Sequence, residues 1–340
     1  DQQNVWLWYF YALMPEEQVS SQWTKDLLHY LDTPDIELKI FQDRRIDLLR
    51  KYEIFEPKII FKVLRIILNH YKESPFIFSL YVSCILNNSN QQEADKIVGE
   101  FLDELPLLEE VYLKGIACSN HEDFKGTLLD AIISVDNEFL YRYIDYLIST
   151  QKGFHRNDDY HHTARLLKIW DANQFIDLAD GIFDYLHRKG QMTRYGAGYS
   201  VLKMILSNKP DHQEITEKQE LWIQHTIDQY CSDGERMHEL FSAIKELPCE
   251  RRRMAVEKFL SLNTDPNIFE RLPLEPTSWG GWGSMIPYMQ ERIDYLNSLL
   301  PLVSGVKYLK QKRRIEKDID TWKEKIRTQE VEELLESWYY

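Results

Sequence analysis

Glycine and proline are scarce in this sequence, at 13 and 12 among 340 residues. An all-β chain needs turn residues every ~8–12 positions, so so few breakers point away from sheet structure. Only four cysteines occur, Cys84, Cys118, Cys231 and Cys249, and none forms a CxxC pair. That excludes the common zinc-knuckle and dithiol redox motifs, and scattered cysteines in apolar helical contexts are expected as buried thiols. No apolar run is long enough to span a bilayer, which takes about 20 residues. The longest aromatic-rich segment, Val5–Met14, has ten. Basic charge is also in deficit: 41 Lys and Arg against 55 Asp and Glu give a net charge of −14. A phosphate backbone attracts the opposite sign, so no direct nucleic-acid role is expected. The P-loop pattern GxxxxGK[ST] and the metalloprotease pattern HExxH are absent as well.

Helical periodicity is abundant. Ala94, Ile97, Val98, Phe101, Leu102 and Leu105 form an i, i+3, i+4, i+7 stripe. Phe139, Leu140, Tyr143, Ile144, Leu147 and Ile148 repeat it, and so do Phe175, Leu178, Ala179, Ile182, Phe183 and Leu186. Ile60–Tyr71 and Met237–Leu247 carry the same signature. Proline dipeptides fall between the stripes, at Glu56-Pro57, Ser74-Pro75, Lys209-Pro210 and Leu247-Pro248, where a helix stops or starts. Asn90, Asp136, Asp171 and Asp233 are candidate N-caps.

Many helices of this length joined by short turns make a bundle or a stack of helix pairs. A bundle of this size needs long crossovers that the sequence lacks, so the expected fold is all-α. It is an irregular α-solenoid of helix pairs, similar to tetratricopeptide and HEAT arrays, over residues 1–272. A Pro/Gly/Trp loop over 273–284 ends it. Beyond the loop, Met289, Ile293, Leu296, Leu300 and Val303 follow a 4-3-4-3 spacing, a break falls at Ser304-Gly305, and Tyr308, Ile315, Ile319, Trp322 and Ile326 continue a seam. Residues 285–337 are therefore expected to form a long antiparallel helical hairpin, its return helix ~48 Å long at 1.5 Å per residue.

Five segments carry candidate chemistry. His155, Asp158, Asp159, His161 and His162 are metal- or base-forming residue types close together in a polar link. Asp158 and His162 stand at i, i+4, but the spacing is not HExxH and assigns no third ligand, and a capped helix start accounts for most of it. Trp279-Gly280-Gly281-Trp282 offers two indoles on a flexible loop, suited to stacking on a partner or to sealing the end of the solenoid. Tyr160, Arg194 and Tyr195 are of the residue types that anchor protein interfaces; Arg194–Gly198, with its lone GxG, reads as a loop. The basic run Lys307, Lys310, Lys312, Arg313, Arg314 and Lys317 reads as a solvated helix face, and Arg251-Arg252-Arg253 as a helix-start surface.

The C-terminal third also resembles a known family. Met237–Asn263 (MHELFSAIKELPCERRRMAVEKFLSLN), Asn267–Pro287 (NIFERLPLEPTSWGGWGSMIP) and Leu299–Leu309 (LLPLVSGVKYL), followed by a long charged helix, are similar to the C-terminal end of bacterial STAND-type NTPases of antiviral defence. In that family a helical-repeat sensor binds a phage protein and a central ATPase oligomerises. The resemblance, over residues 233–337, implies a sensor region with no catalytic residue and no cofactor. It further implies a phage structural or packaging protein as partner and oligomerisation through a region N-terminal to Asp1; a cytoplasmic setting is expected from the unpaired cysteines and the lack of a secretory signal pattern. Two other functions stay open on the residues: a metal-assisted hydrolase around His155–His162, and a passive helical adaptor.

Overall fold

The computed structural model describes residues 91–100, 102–118, 127–150, 165–192, 197–207, 213–276 and 284–339. Every regular element among them is helical. The chain divides into two units, Asp1–Arg165 and Leu166–Tyr340. The second holds the last of the expected repeats together with the C-terminal helices.

In the first unit, α1 (Gln91–Glu100) is followed by a 3₁₀ turn (Leu102–Glu104), α2 (Leu105–Cys118), α3 (Thr127–Val135) and α4 (Glu138–Thr150). The stripe expected from Ala94 through Leu105 is thus not one helix. Ala94 and Val98 are buried, but Leu102 is 55% exposed. Pro106 supplies the reason: it donates no N–H and crowds the preceding turn, so the helix restarts just before it. α1 packs on α3, α2 on α4, and α3 on α4. Tyr112, Phe139 and Tyr143 meet edge to face in this core, at 5.8 and 6.2 Å from the Tyr112 ring. Arg142 joins two elements by donating to Glu109 of α2 and to Asp136, both at 2.7 Å. Asp136 also accepts the Glu138 N–H at 2.9 Å, the capping role expected of it.

The second unit begins with a 3₁₀ helix (Leu167–Asp171) and continues with α5 (Phe175–Arg188), α6 (Ala197–Ile205), α7 (Gln213–Tyr230) and α8 (Gly234–Ile244). Then come α9 (Cys249–Leu262), α10 (Pro266–Arg271), α11 (Ile286–Leu299) and α12 (Leu309–Tyr339). Asp171 closes the 3₁₀ helix and does not cap α5, whose N-cap is Gln174. Asp233 does cap α8, accepting from the N–H groups of Glu235 and Arg236. Packing follows one rule: each helix meets the next but one. α5, α7, α9 and α11 make one row, and α6, α8, α10 and α12 another. The rows are tied by contacts between α7 and α8 and between α11 and α12.

Trp170 and Trp222 are fully buried in this unit, their rings 6.0 Å apart, with Phe183 edge-on to Trp222. The Trp170 indole donates to the Ile205 carbonyl at 2.7 Å. Further along, Phe241, Phe259 and Phe269 continue the apolar core towards α12. Met289, Ile293, Leu296 and Val303, then Tyr308, Ile315, Ile319 and Trp322, are buried as their spacing predicts, while Leu300 and Ile326 are half-buried. Cys231 and Cys249 are free thiols, half-buried where full burial was expected.

Candidate functional site

Every site residue named from the sequence lies outside the described residues: His155, Asp158, Asp159, Tyr160, His161 and His162 in the polar link, Arg194 and Tyr195 before α6, and Trp279 and Trp282 in the loop before α11. Among the described residues, no group of three or more His, Cys, Asp or Glu side chains could hold a metal ion, and no helix is long and apolar enough to cross a membrane. The structure shows what anchors the edges of these segments, and two polar networks that the sequence did not announce.

The stem of the Trp loop is held by α9 and α12. Leu274, at the start of the loop, accepts from Arg252 of α9 at 3.4 Å. Glu275 accepts from the Trp322 indole of α12. The Arg292 guanidinium of α11 lies 4.7 Å from the Trp322 ring centre, with Lys325 on the same ring at 4.0 Å, and Arg252 lies 4.1 Å from the Tyr295 ring. Cations over aromatic faces keep part of their solvation in an apolar surround. Arg251 and Arg252 are therefore not a helix-start surface. Both are buried and only Arg253 is exposed: the Tyr295 ring and the Leu274 carbonyl supply Arg252 with what water would have, and Gln219 and Glu220 do so for Arg251. Arg314 departs in the same way from the expected solvated face. It donates to the carbonyls of Phe269, at the end of α10, and of Leu272, the latter at 2.7 Å. A cation at a helix C-terminus satisfies orphan carbonyls and the negative pole together. Lys312 does pair with Glu316 at i, i+4, as a solvated face requires.

Burial pushes the Glu275 carboxyl above its usual range, and the Trp322 hydrogen bond pulls only partly back. A carboxyl raised in the folded state contributes stability below its unfolded pKa and loses it as pH rises through the folded value. Glu275→Gln keeps an acceptor for the indole and removes the buried charge. The expected outcome in urea melts is a variant more stable than the parent at about pH 7 and equal to it at about pH 4. A variant less stable at both pH values would show that attraction to Arg292 and Arg314 outweighs the desolvation.

The second network joins α5 to α7 and α8. Asp180 accepts from the Trp222 indole at 2.7 Å and lies 2.9 Å from Nε2 of His225. One turn on, Asp184 accepts from Tyr230 Oη at 3.1 Å and pairs with Arg236, whose guanidinium sits 4.2 Å from the Tyr230 ring. A further turn on, Nδ1 of His187 is 2.8 Å from Glu239. Burial raises Asp180 and Glu239, and their hydrogen-bond partners offset part of the rise. A histidine held by a carboxylate can move a proton, but no Ser, Cys or Thr hydrogen-bonds either imidazole among the described residues. The chemistry on show is helix-to-helix clamping. Sequence reasoning missed it because Asp180 and His225 lie 45 positions apart and match no motif.

The first turn of α6 is constrained too. Gly198 sits in the first turn of the helix, where an added Cβ would lie 2.9 Å from the Gln191 carbonyl oxygen. The GxG motif thus serves, at its second glycine, a close backbone approach inside a helix.

No family model, curated protein or solved structure matches the chain.

Proposed function

We propose that this chain is a protein-binding array of stacked helix pairs that closes in an antiparallel hairpin of α11 and α12. In this reading it is the sensor of an antiviral STAND-type NTPase and recognises a phage structural or packaging protein. The observation that carries the reading is the packing rule of the second unit, in which each helix meets the next but one along two rows. Helix pairs stacked this way expose the same faces repeatedly and build an extended surface that fits a folded partner. The two polar networks lie between helices of the stack, where they fix the geometry of such a surface. The sensor identity itself rests on the C-terminal resemblance. Tyr160, Arg194, Tyr195, Trp279 and Trp282 are the proposed anchors, being of the types that dominate protein interfaces.

The test is a pull-down of the tagged chain from phage-infected and uninfected cells, read by mass spectrometry. A phage structural or packaging protein enriched only after infection is the expected result. Host proteins alone, equal in both samples, would reject the sensor and favour a passive adaptor.

A further inference from the structure

We infer that α12 is a self-association element, pairing antiparallel with α12 of a second copy of this chain. The helix is 31 residues long against 14 for α11, about 46 Å against 21 Å, so its distal half runs on past the helix it packs with. Its inward seam is Ile315, Ile319 and Trp322, all buried. About 100° round the helix, counting 100° per residue, lies a second heptad row running 4-3-4-3-4-3-4 from Leu309 to Leu334. Every member of that row is exposed, and its terminal leucines are 52% and 59% exposed.

The order of residues in this row names the occupant. Taken from its two ends inward, the row pairs Leu309 with Leu334, Arg313 with Glu330, Glu316 with Arg327, and Asp320 with Lys323. Apolar meets apolar and each charge meets its opposite, about a midpoint between Thr321 and Trp322. Within one rigid helix only Asp320 and Lys323 are near enough to meet, at i, i+3; Arg313 and Glu330 are 17 residues, ~26 Å, apart, and Leu309 with Leu334 and Glu316 with Arg327 are likewise out of reach. A parallel copy would set Arg313 on Arg313. Only an antiparallel copy, related by a two-fold axis through the midpoint, brings all four pairs together, and it does so twice.

The remaining charges agree. In the same register Lys310 falls opposite Glu333 and Asp318 opposite Lys325, and no like-charged pair arises anywhere between Lys307 and Glu336. Glu330 has no ion-pair partner among the described residues, while Asp320–Lys323 and Glu324–Arg327 are exposed i, i+3 pairs free to re-pair across an interface. An open groove of about 880 Å³ runs along the neighbouring side of α12, past Lys317, Thr321 and Glu324, where a second helix can settle. The last three turns carry acids and no base, a poor ending for an isolated helix that the basic start of a second α12 corrects.

The experiment is sedimentation equilibrium of the full chain over a wide concentration range at low and high salt. The wild type is expected to dimerise, more weakly at high salt. Arg313→Glu and Glu330→Arg each turn two attractions into repulsions and should weaken self-association at least about tenfold. Mixed in equal amounts, the two variants restore both contacts and should form a heterodimer. Glu316→Lys mixed with Arg327→Glu makes the same test at the next pair, should either first variant fail to keep its far-UV circular dichroism. A wild type that stays monomeric at low salt overturns the inference, as does a dimer that both charge reversals leave intact. Variants that weaken the dimer alone but do not rescue each other reject this register and the inference with it.

Discussion

Trp222→Ala is expected to lower the unfolding free energy of the second unit by about 3–5 kcal/mol, the range for emptying a large aromatic site in a packed core. The indole is fully buried between Trp170 and Phe183, and α7 carries it into contact with α5. Its loss leaves a cavity that two rings must line without collapsing, since Trp170 is itself fixed through the Ile205 carbonyl. It also takes the indole donor from Asp180, whose carboxyl is already raised by burial and would keep only His225. Trp222→Phe separates the two effects: it keeps most of the ring volume and removes the donor, and should cost roughly a third as much. Urea unfolding followed by far-UV circular dichroism reads both. A Trp222→Ala cost under about 1.5 kcal/mol would mean that the site is not closed.

The second large effect comes from a polar side chain. Gln219→Leu is expected to cost about 3 kcal/mol, although it puts an apolar residue at a fully buried position. Gln219 donates to the Ile205 carbonyl at 2.9 Å and accepts from Arg251 Nη2 at 3.1 Å. Arg251 is buried, and burial disfavours its charge. Two of its guanidinium nitrogens, Nε and Nη1, have no well-formed hydrogen bond, although Nε lies 3.1 Å from Glu220. Removing Gln219 leaves that cation with the Glu220 attraction alone. Replacing Arg251 and Gln219 together by leucine removes the stranded charge. The double variant should therefore be more stable than the sum of the two single losses allows, by ~1 kcal/mol or more. Strict additivity in a double-mutant cycle would show that the two side chains do not act as a pair.

Both predictions rest on partners that lie far apart in sequence. Helix formation depends on a side chain's own neighbours, and α4, α5 and α8 could be read from stripes of one residue type every third and fourth position. So could the Asp233 cap, because its partners are two and three residues on, and the seam of α12, where Ile315, Ile319 and Trp322 are spaced to one side. Where a local rule was misjudged, as at Leu102, a proline that was in view accounts for the break.

The fate of the cations was not legible. Arg251, Arg252 and Arg314 stand in charged runs that read as solvated surface, yet each is drawn inside by acceptors or rings on other helices: Gln219, the Leu274 carbonyl with the Tyr295 ring, and the carbonyls at the end of α10. The clamps of Asp180 on His225 and Glu239 on His187 depend likewise on which helices become neighbours. The sequence by itself determined that the chain is helical, where most of the described helices lie and which of their faces turn inward, because those follow from backbone propensity and from a period of 3.6 residues. Only the tertiary structure decided which charges are buried and what satisfies them. The energy of a buried charge is set by groups brought to it from 22 to 52 positions away, and no local pattern encodes that approach.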